Sequence, residues 1–429
     1  MKYLNIDNQL FIKNRREFVL NIANNGVAIF NSNDIMPTNA DGSMPFRQNN
    51  DLFWLSGIDQ EESILILSPS NKNAKMREIL FLKETNAHIA IWEGAKLTKT
   101  EAEEKSGIKT IFWLKQFNEV LNDLLADAEQ IYLNKNTHAR STSVVETRDD
   151  RFRKKIIADY PSKKISEAAP IMHKLRAIKS NAEIDLIQNA CNITEKGFRR
   201  ILPIIKPGIM EFEIEAELMH EFLINRSRGF AYEPIIASGI NSCVLHYIEN
   251  NKKCLDNDIL LMDFGAEYAN YASDLTRTVP VNGKFSKRQK DVYNSVLYVM
   301  REATNMLRPG TNFKQYNKEV GRIMENELVA LGLLDKHDIQ KQNQEKPLYK
   351  KYFMHGTSHY LGLDVHDVGD FSWDMKEGMV FTCEPGIYVL EEELGIRLEN
   401  DVLITTNGPE NLMKNIPIEA DEIESLMNG

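Results

Sequence analysis

Residues 258–266 and 270–279 are two strand-like runs, and the stretch Glu267–Asn270 between them suits a turn. Each run carries one bare carboxylate among apolar and aromatic neighbours, Asp263 in one and Asp274 in the other. A hairpin centred between Tyr268 and Ala269 sets the two aspartates opposite one another, with Cβ atoms about 5 Å apart on one face. Like charges so placed destabilise a sheet unless something neutralises them. A shared proton is one answer and a metal ion is another. The plainer alternative is that one aspartate caps a turn and the other is exposed.

At 429 residues the chain exceeds what one core organises, and two domains are expected. A formal charge of −10 and the lack of a Lys/Arg stripe argue against nucleic-acid binding. The basic run Arg151–Lys155 reads as a solvated helix face. The first residues have no apolar h-region, and no apolar run approaches membrane-spanning length. Cys191, Cys243, Cys254 and Cys383 are widely spaced without a CxxC, which fits reduced thiols and a cytoplasmic location.

Strand patterns fall at Gly26–Asn31, Leu52–Gly57, Ser63–Leu67, Glu78–Leu82, Thr110–Leu114 and Gln130–Leu133, with helical patterns near 8–24, 116–127 and 144–158. Residues 1–170 are therefore expected to form an α/β domain with a mixed sheet. No Gly-rich phosphate loop accompanies it. The polar stretch Ala158–Pro170 suits a boundary, with residues 171–429 as the second domain. There the pattern predicts one long helix over 171–200, with Ser180 and Glu183 suited to an N-cap, and a second helix over about 210–227. Strands are expected at Ala231–Ala237 and Val244–Ile248, helices at 286–307 and 313–331, and strands again in the last hundred residues. The polar span Lys336–Lys351 reads as a surface excursion without a functional account.

Metal ligation at the aspartates needs partners, and the C-terminal stretch offers them. Residues 354–367 (MHGTSHYLGLDVHD) hold His355, His359 and His366; Glu384 lies on an apolar strand just before a Pro-Gly turn in VFTCEPGIY; Arg397, Glu399 and Asp401 share one strand face by the period of two. A strand-end Glu is usually solvated, and a lone His is usually a core residue. Their joint occurrence in short apolar or Gly-rich contexts is harder to dismiss. Asp263, Asp274, Glu384 and Glu399 carry four negative charges, which two divalent cations balance. Carboxylates with one imidazole suit Mn, Co, Zn or Fe(II).

The segments SGINSCVLHY (238–247), MDFGAEYANYASDLTRT (262–278), HGTSHYLGLDVHD (355–367), CEPGIY (383–388) and GIRLEND (395–401) together resemble the pita-bread metallopeptidases, in particular the aminopeptidase P branch. The stretch FRQNNDLFWLSG (46–57) resembles the creatinase-type amino domain of that branch. The resemblance spans essentially the whole chain. It implies a C-terminal α+β domain with a curved antiparallel sheet flanked by helices. It also implies two divalent ions, with Mn(II) as the family expectation: Asp263 on one, His359 and Glu384 on the other, Asp274 and Glu399 bridging. Catalytic or substrate-binding roles are implied for His246, His355 and His366, with Arg397 and Tyr388 lining the cleft and Tyr232 in its wall. The implied reaction is hydrolysis of the first peptide bond of peptides with proline second, by a hydroxide bridging the two ions, with Glu384 moving the proton. Trp92 matches a position that in tetrameric members closes a neighbouring subunit's pocket, and a surface or interdomain Trp is the alternative. A homodimer or homotetramer is implied, with no nucleic-acid or membrane partner.

An Xaa-Pro dipeptidase shares fold, metals and motifs. The wording of the 355–370 and 232–247 stretches leans toward the aminopeptidase. Methionine aminopeptidase generally lacks the amino domain, and creatinase lacks the full ligand set. A non-catalytic binding module is the remaining alternative, and the intact ligands and histidines speak against it.

Overall fold

Six short strands form the sheet of the N-terminal part: β1 (Gly26–Asn31), β2 (Ile64–Leu67), β3 (Glu78–Leu82), β4 (Thr110–Trp113), β5 (Gln130–Leu133) and β6 (Lys164–Glu167), in the order β4-β3-β2-β1-β5-β6. β1/β2 and β2/β3 are antiparallel and the other pairs parallel, so the sheet is mixed. This computed structural model describes residues 2–343 and 345–429, in two compact units, Tyr3–Leu175 and Arg176–Gly429.

All six residues of β1 are buried, as a central strand covered on both faces requires. The helices of this unit are α1 (Gln9–Val19), α2 (Asn50–Ser56), α3 (Ala87–Trp92), α4 (Lys99–Ser106), α5 (Phe117–Asp127) and α6 (Arg148–Asp159). Alternation divides the two faces. Val27 and Ile29 pack with Leu121, Leu124 and Leu125 of α5 and Ile156 of α6. On the other face Phe30 meets Phe18 of α1 edge-on, with ring centroids 5.2 Å apart.

Three segments differ from the sequence pattern here for local reasons. Leu52–Gly57 is not a strand: it lies in α2, because Asn49 caps the helix by accepting from the Asp51 and Leu52 N–H groups, and Gly57 closes it at φ 67°. The polar stretch 158–170 also contributes structure, since β6 adds in parallel to β5. The long helix over 171–200 is two, α7 (Ala169–Arg176) and α8 (Asn181–Ile201). The break is the cap itself: Ser180 N–H and Oγ–H both donate to Glu183 Oε2, at 2.9 and 2.8 Å.

In the second unit β7 (Ile235–Ser238), β8 (Ile259–Phe264) and β11 (Leu275–Pro280) form an antiparallel sheet, and β9 (Glu267–Tyr268) pairs with β10 (Tyr271–Ala272). β12 (Val380–Cys383), β15 (Asn400–Thr405) and β16 (Gly408–Asn411) form another, and β13 (Gly386–Val389) pairs with β14 (Leu394–Arg397). Between β11 and β14 side chains replace the ladder: Thr278 Oγ1 donates to the Arg397 carbonyl at 2.9 Å and accepts from its N–H at 3.2 Å. Helices α9 (Glu211–Ile224), α10 (Lys287–Met306), α11 (Phe313–Ala330), α12 (Lys336–Lys341) and α13 (Ala420–Asn428) complete this unit. Val244–Ile248 is no strand. A short 3-10 turn, Gly239–Cys243, precedes it, and the segment runs on as irregular chain. Of the span 336–351, residue 344 lies outside the described residues.

The β8–β11 hairpin is centred one residue later than the sequence pattern suggests. Ala269 and Asn270, at φ 53° and 70°, make the two-residue turn, and Asp263 faces Thr276 rather than Asp274. Side chains fix this turn, because the Asn270 N–H donates to Glu267 Oε1 and Arg228 donates to Asn270 Oδ1. The pairing shift is two residues, an even number, so Asp274 stays on the face of Asp263, diagonal to it. Gly265 allows the crossing, since a Cβ there would collide with the Ser273 carbonyl.

The segment carrying the histidines is anchored by a buried ion cluster. Asp367 accepts from Arg176 at 2.6 Å and from Lys179 at 3.1 Å, all three nearly inaccessible. Burial pushes the Asp367 carboxyl up, but the charges of Arg176 and Lys179 outweigh it and hold it below the ordinary value. Its contribution is therefore present above the unfolded carboxylate range, about pH 4, and is lost as pH falls through the lower folded value. Asp367→Ala leaves Lys179 buried without its carboxylate and Arg176 with Asp364 in place of two acidic partners, and is expected to cost about 3–5 kcal/mol. Urea unfolding at neutral pH measures this. A loss below about 1 kcal/mol would place the cluster among ordinary surface pairs.

Candidate metal centre

Strand ends deliver the acidic side chains. Asp263 lies near the end of β8, Asp274 just before β11, Glu384 just after β12, and Glu399 just before β15. His359 precedes the isolated bridge of Tyr360 with Phe381. Ligand atoms of Asp274, His359 and Glu399 all lie within 4.8 Å of one another. His359 Nε2 is 3.4 Å from Asp274 Oδ2 and 3.6 Å from Glu384 Oε1. Asp263 joins through Tyr232, whose hydroxyl lies 2.6 Å from Asp263 Oδ1 and 2.5 Å from Asp274 Oδ1. Burial, then the charges of Asp263 and Asp274, push the Tyr232 phenol well up, so it remains a donor.

Against these four carboxylates stands one guanidinium. Arg397 donates from Nη2 to Asp263 Oδ2 at 2.5 Å, from Nη1 to the Tyr388 hydroxyl at 2.8 Å, and from Nε to Thr276 Oγ1 at 3.1 Å. Burial, then the charge of Asp263, push Asp274 well up; burial, then Asp274 and Glu384, do the same to Glu399. Glu384 is pushed up to about 7, first by burial.

Two features fit a divalent cation. Glu399 Oε2 accepts from Thr276 Oγ1 at 2.7 Å, while its buried Oε1 has no hydrogen-bond partner. The His359 Nδ1 lies 3.0 Å from the Tyr360 carbonyl, which can only accept, so Nδ1 carries a proton. Nε2 is the nitrogen that faces two carboxylates. Around a cation this arrangement is a ligand set with its outer hydrogen bond in place.

The other expected residues are placed unevenly. His355 Nδ1 lies 2.7 Å from the Gly356 carbonyl and its Nε2 2.8 Å from the Tyr388 hydroxyl, so Tyr388 donates to it while accepting from Arg397. Burial, then the Arg397 charge, lower His355 to about 3, and it is neutral. His366 is half-buried with its ring edge-on to His359, 4.4 Å between centroids. His246 is exposed, and near enough for its charge to bear on His355. Trp92 belongs to the other unit, at the end of α3, and is 76% exposed.

Sequence reasoning passed over Thr276, which bridges Glu399 and Arg397. Its signal was the period of two, since it lies two residues beyond Asp274 on the same face. Asp401 was placed on the face of Arg397 and Glu399. Its carboxylate instead grips the backbone, accepting from the Asp274 N–H at 3.0 Å and from Cys191 Sγ at 3.4 Å.

Carboxylates and one imidazole gathered at strand ends, with a single arginine opposing them, define a site of the metallohydrolase class. The model of metallopeptidase family M24 matches residues 185–406, and that of the aminopeptidase P N-terminal domain matches residues 11–132. The chain is 34% identical to the Xaa-Pro aminopeptidase of Escherichia coli K12, covering 98% of each chain. Among solved structures it resembles the aminopeptidase PepP of Pseudomonas aeruginosa (TM-score 0.90, 29% identity, 99% and 98% covered). It also resembles a Zn-substituted E. coli aminopeptidase P in complex with product (TM-score 0.87, 33% identity, 99% of both chains). The chain belongs to metallopeptidase family M24. Its second unit is accordingly the pita-bread domain of that family, and its first the aminopeptidase P amino-terminal domain.

Raised carboxyl values have a thermodynamic consequence. At these carboxyls the folded, metal-free protein binds more protons than the unfolded chain, so their contribution to stability falls as pH rises from the unfolded carboxylate range through the folded values. His355, lowered to about 3, acts in the opposite sense around its ordinary 6.5, and the raised Asp274, Glu384 and Glu399 outnumber it. For Glu384 that window runs from its ordinary 4.5 to about 7. Metal-stripped protein is expected to show a higher Tm at about pH 5.5 than at about pH 7.5, and saturating Mn(II) is expected to abolish or reverse that difference. A stripped-protein Tm that climbs across the same interval contradicts the electrostatics described here.

Proposed function

We propose that the chain is a dinuclear Xaa-Pro aminopeptidase, removing the first residue from peptides with proline second. The observation that carries this reading is the convergence of Asp263, Asp274, His359, Glu384 and Glu399, with an orphaned carboxylate oxygen on Glu399 and the His359 Nε2 facing two carboxylates. The name and full-length match of the E. coli relative support the aminopeptidase over the dipeptidase.

In this reading Asp263, Asp274, His359, Glu384 and Glu399 would together hold two divalent ions. Mn(II) is the proposed metal, with Co, Zn or Fe compatible with the same donors. When bound, such a pair of ions supplies a nucleophilic water at neutral pH and polarises the scissile carbonyl. The chain's own residues do the rest. Glu384, ionised once cations replace its proton, would take the proton from the attacking water and pass it to the departing proline nitrogen. Arg397 fixes Asp263, and through Tyr388 it fixes the neutral ring of His355, whose Nδ1 lies 3.8 Å from Glu384 Oε2. Tyr232 holds Asp263 and Asp274 in one orientation. His246 and His366 are left to meet the substrate backbone. The bond before proline is a tertiary amide without an N–H, so a site that selects it relies on shape around the ring rather than on that donor.

A homodimer or homotetramer is proposed, with the exposed Trp92 at a subunit contact. The location proposed is cytoplasmic, in keeping with four free cysteines. Among the described residues no helix is long and apolar enough to cross a membrane.

Metal-stripped protein re-loaded with Mn(II) is expected to release X from the tripeptide X-Pro-Y. Cleavage of the dipeptide X-Pro alone would make it a dipeptidase. Asp274→Ala is expected to abolish activity, and Glu384→Gln to lower kcat about 10²–10⁴-fold, as expected for a lost general base. A Glu384→Gln enzyme with native kcat would remove Glu384 from the chemistry.

A further inference from the structure

Glu211, the first residue of α9, is a second kind of buried acid. It is fully inaccessible, and among the described residues no lysine or arginine pairs with it. Four uncharged donors fill its two oxygens instead. Ser238 N–H and Oγ–H donate to Oε1 at 2.8 and 2.7 Å. The Tyr247 hydroxyl and the Lys252 N–H donate to Oε2 at 2.8 and 2.9 Å. One turn along α9, Glu215 Oε2 accepts from Asn250 Nδ2 at 2.9 Å. Asn250 in turn accepts from the Ile236 N–H at 2.9 Å and donates to the Pro234 carbonyl at 2.9 Å.

These contacts share one object. Residues 239–252 contain no strand, and their only regular piece is the turn Gly239–Cys243. Glu211 and Glu215 hold this segment before it begins, at Ser238, in its middle, at Tyr247, and where it ends, at Asn250 and Lys252. Val244, His246 and Ile248, between those fixed points, are exposed. Tyr247 is buried in a cluster with Tyr388, the residue bonded to His355. The neighbour of a clamped residue has little freedom, and His246 is the neighbour of Tyr247.

We propose that Glu211, assisted by Glu215, is a positioning residue: α9 clamps the irregular segment so that the His246 imidazole is held where substrate meets it. This rests on the reading of the site as a peptidase in which His246 touches substrate. A buried carboxylate suits the task because it accepts four donors from three separate stretches of chain at once, which no neutral side chain does.

The test is a double-mutant cycle on the Mn(II)-loaded full chain, with X-Pro-Y as substrate. Tyr247→Phe removes one grip and keeps the ring packing; Glu211→Gln keeps the shape and sets an amide against donors. Each is measured alone and with His246→Ala, alongside Mn(II) content and Tm. Expected is a loss of about tenfold in kcat/KM for Tyr247→Phe in the native background, from a misplaced group. In the His246→Ala background the further loss is expected to be under about twofold, with Mn(II) content unchanged. Equal losses in both backgrounds, or loss of metal with Tyr247→Phe, would overturn the clamp while leaving the peptidase reading intact. Native kcat/KM in His246→Ala itself would overturn both the role of His246 and the clamp built on it. If Glu211→Gln does not fold, Tyr247→Phe decides alone.

Discussion

Mutual repulsion among Asp263, Asp274, Glu384 and Glu399 is the constraint on which the second unit is organised. Left to itself, such a cluster takes up protons or splays apart. Here it is kept together by neutral donors and one guanidinium: Tyr232 across two aspartates, Thr276 on Glu399, and Arg397 on Asp263. None of these supplies enough charge. Protons or divalent cations must make up the difference, and the same side chains that carry the reaction therefore carry a large, condition-dependent part of the local stability.

The surrounding fold makes sense in that light. Carboxylates at the ends of several short strands approach one another only if the sheet is broken and bent, and side chains such as Thr278 stand in where the ladder lapses. Close passage of β8 and β11 demands a glycine at 265 and a turn with two left-handed residues. The Ala272 N–H, on the hairpin, donates to the Gly362 carbonyl at 2.8 Å, and Gly362 is pressed against Asp367. The hairpin and the histidine segment are thus fixed to one another, and through Asp367 to Arg176 and Lys179.

Much of this was legible in the sequence because period two is robust. Asp263 and Asp274 share one face by that period, and keep it although the hairpin pairs two residues away from the pattern, since an even slip conserves the face. The difference arises at the turn. Ala269 has no intrinsic reason to adopt a positive φ, and it does so because Glu267, Asn270 and Arg228 bond around it, which no local pattern announces. Leu52–Gly57 shows the opposite failure: an apolar run reads as a strand, while the decisive signals, Asn49 and Gly57, lie at its ends. The bonds of His355 to Tyr388, and of Asp401 to the Asp274 backbone, link residues 33 and 127 positions apart, beyond the reach of any periodicity.

The central claim is that the acidic cluster is a cation site whose protons are exchanged for metal. Titration of stripped protein with Mn(II) at about pH 6.5, by calorimetry in buffers of different ionisation enthalpy, tests it directly, since metal binding to protonated ligands releases protons. The account predicts about two Mn(II) per chain, with net proton release that shrinks as the pH is raised. Binding without proton release, or no binding that Asp274→Ala removes, would contradict it.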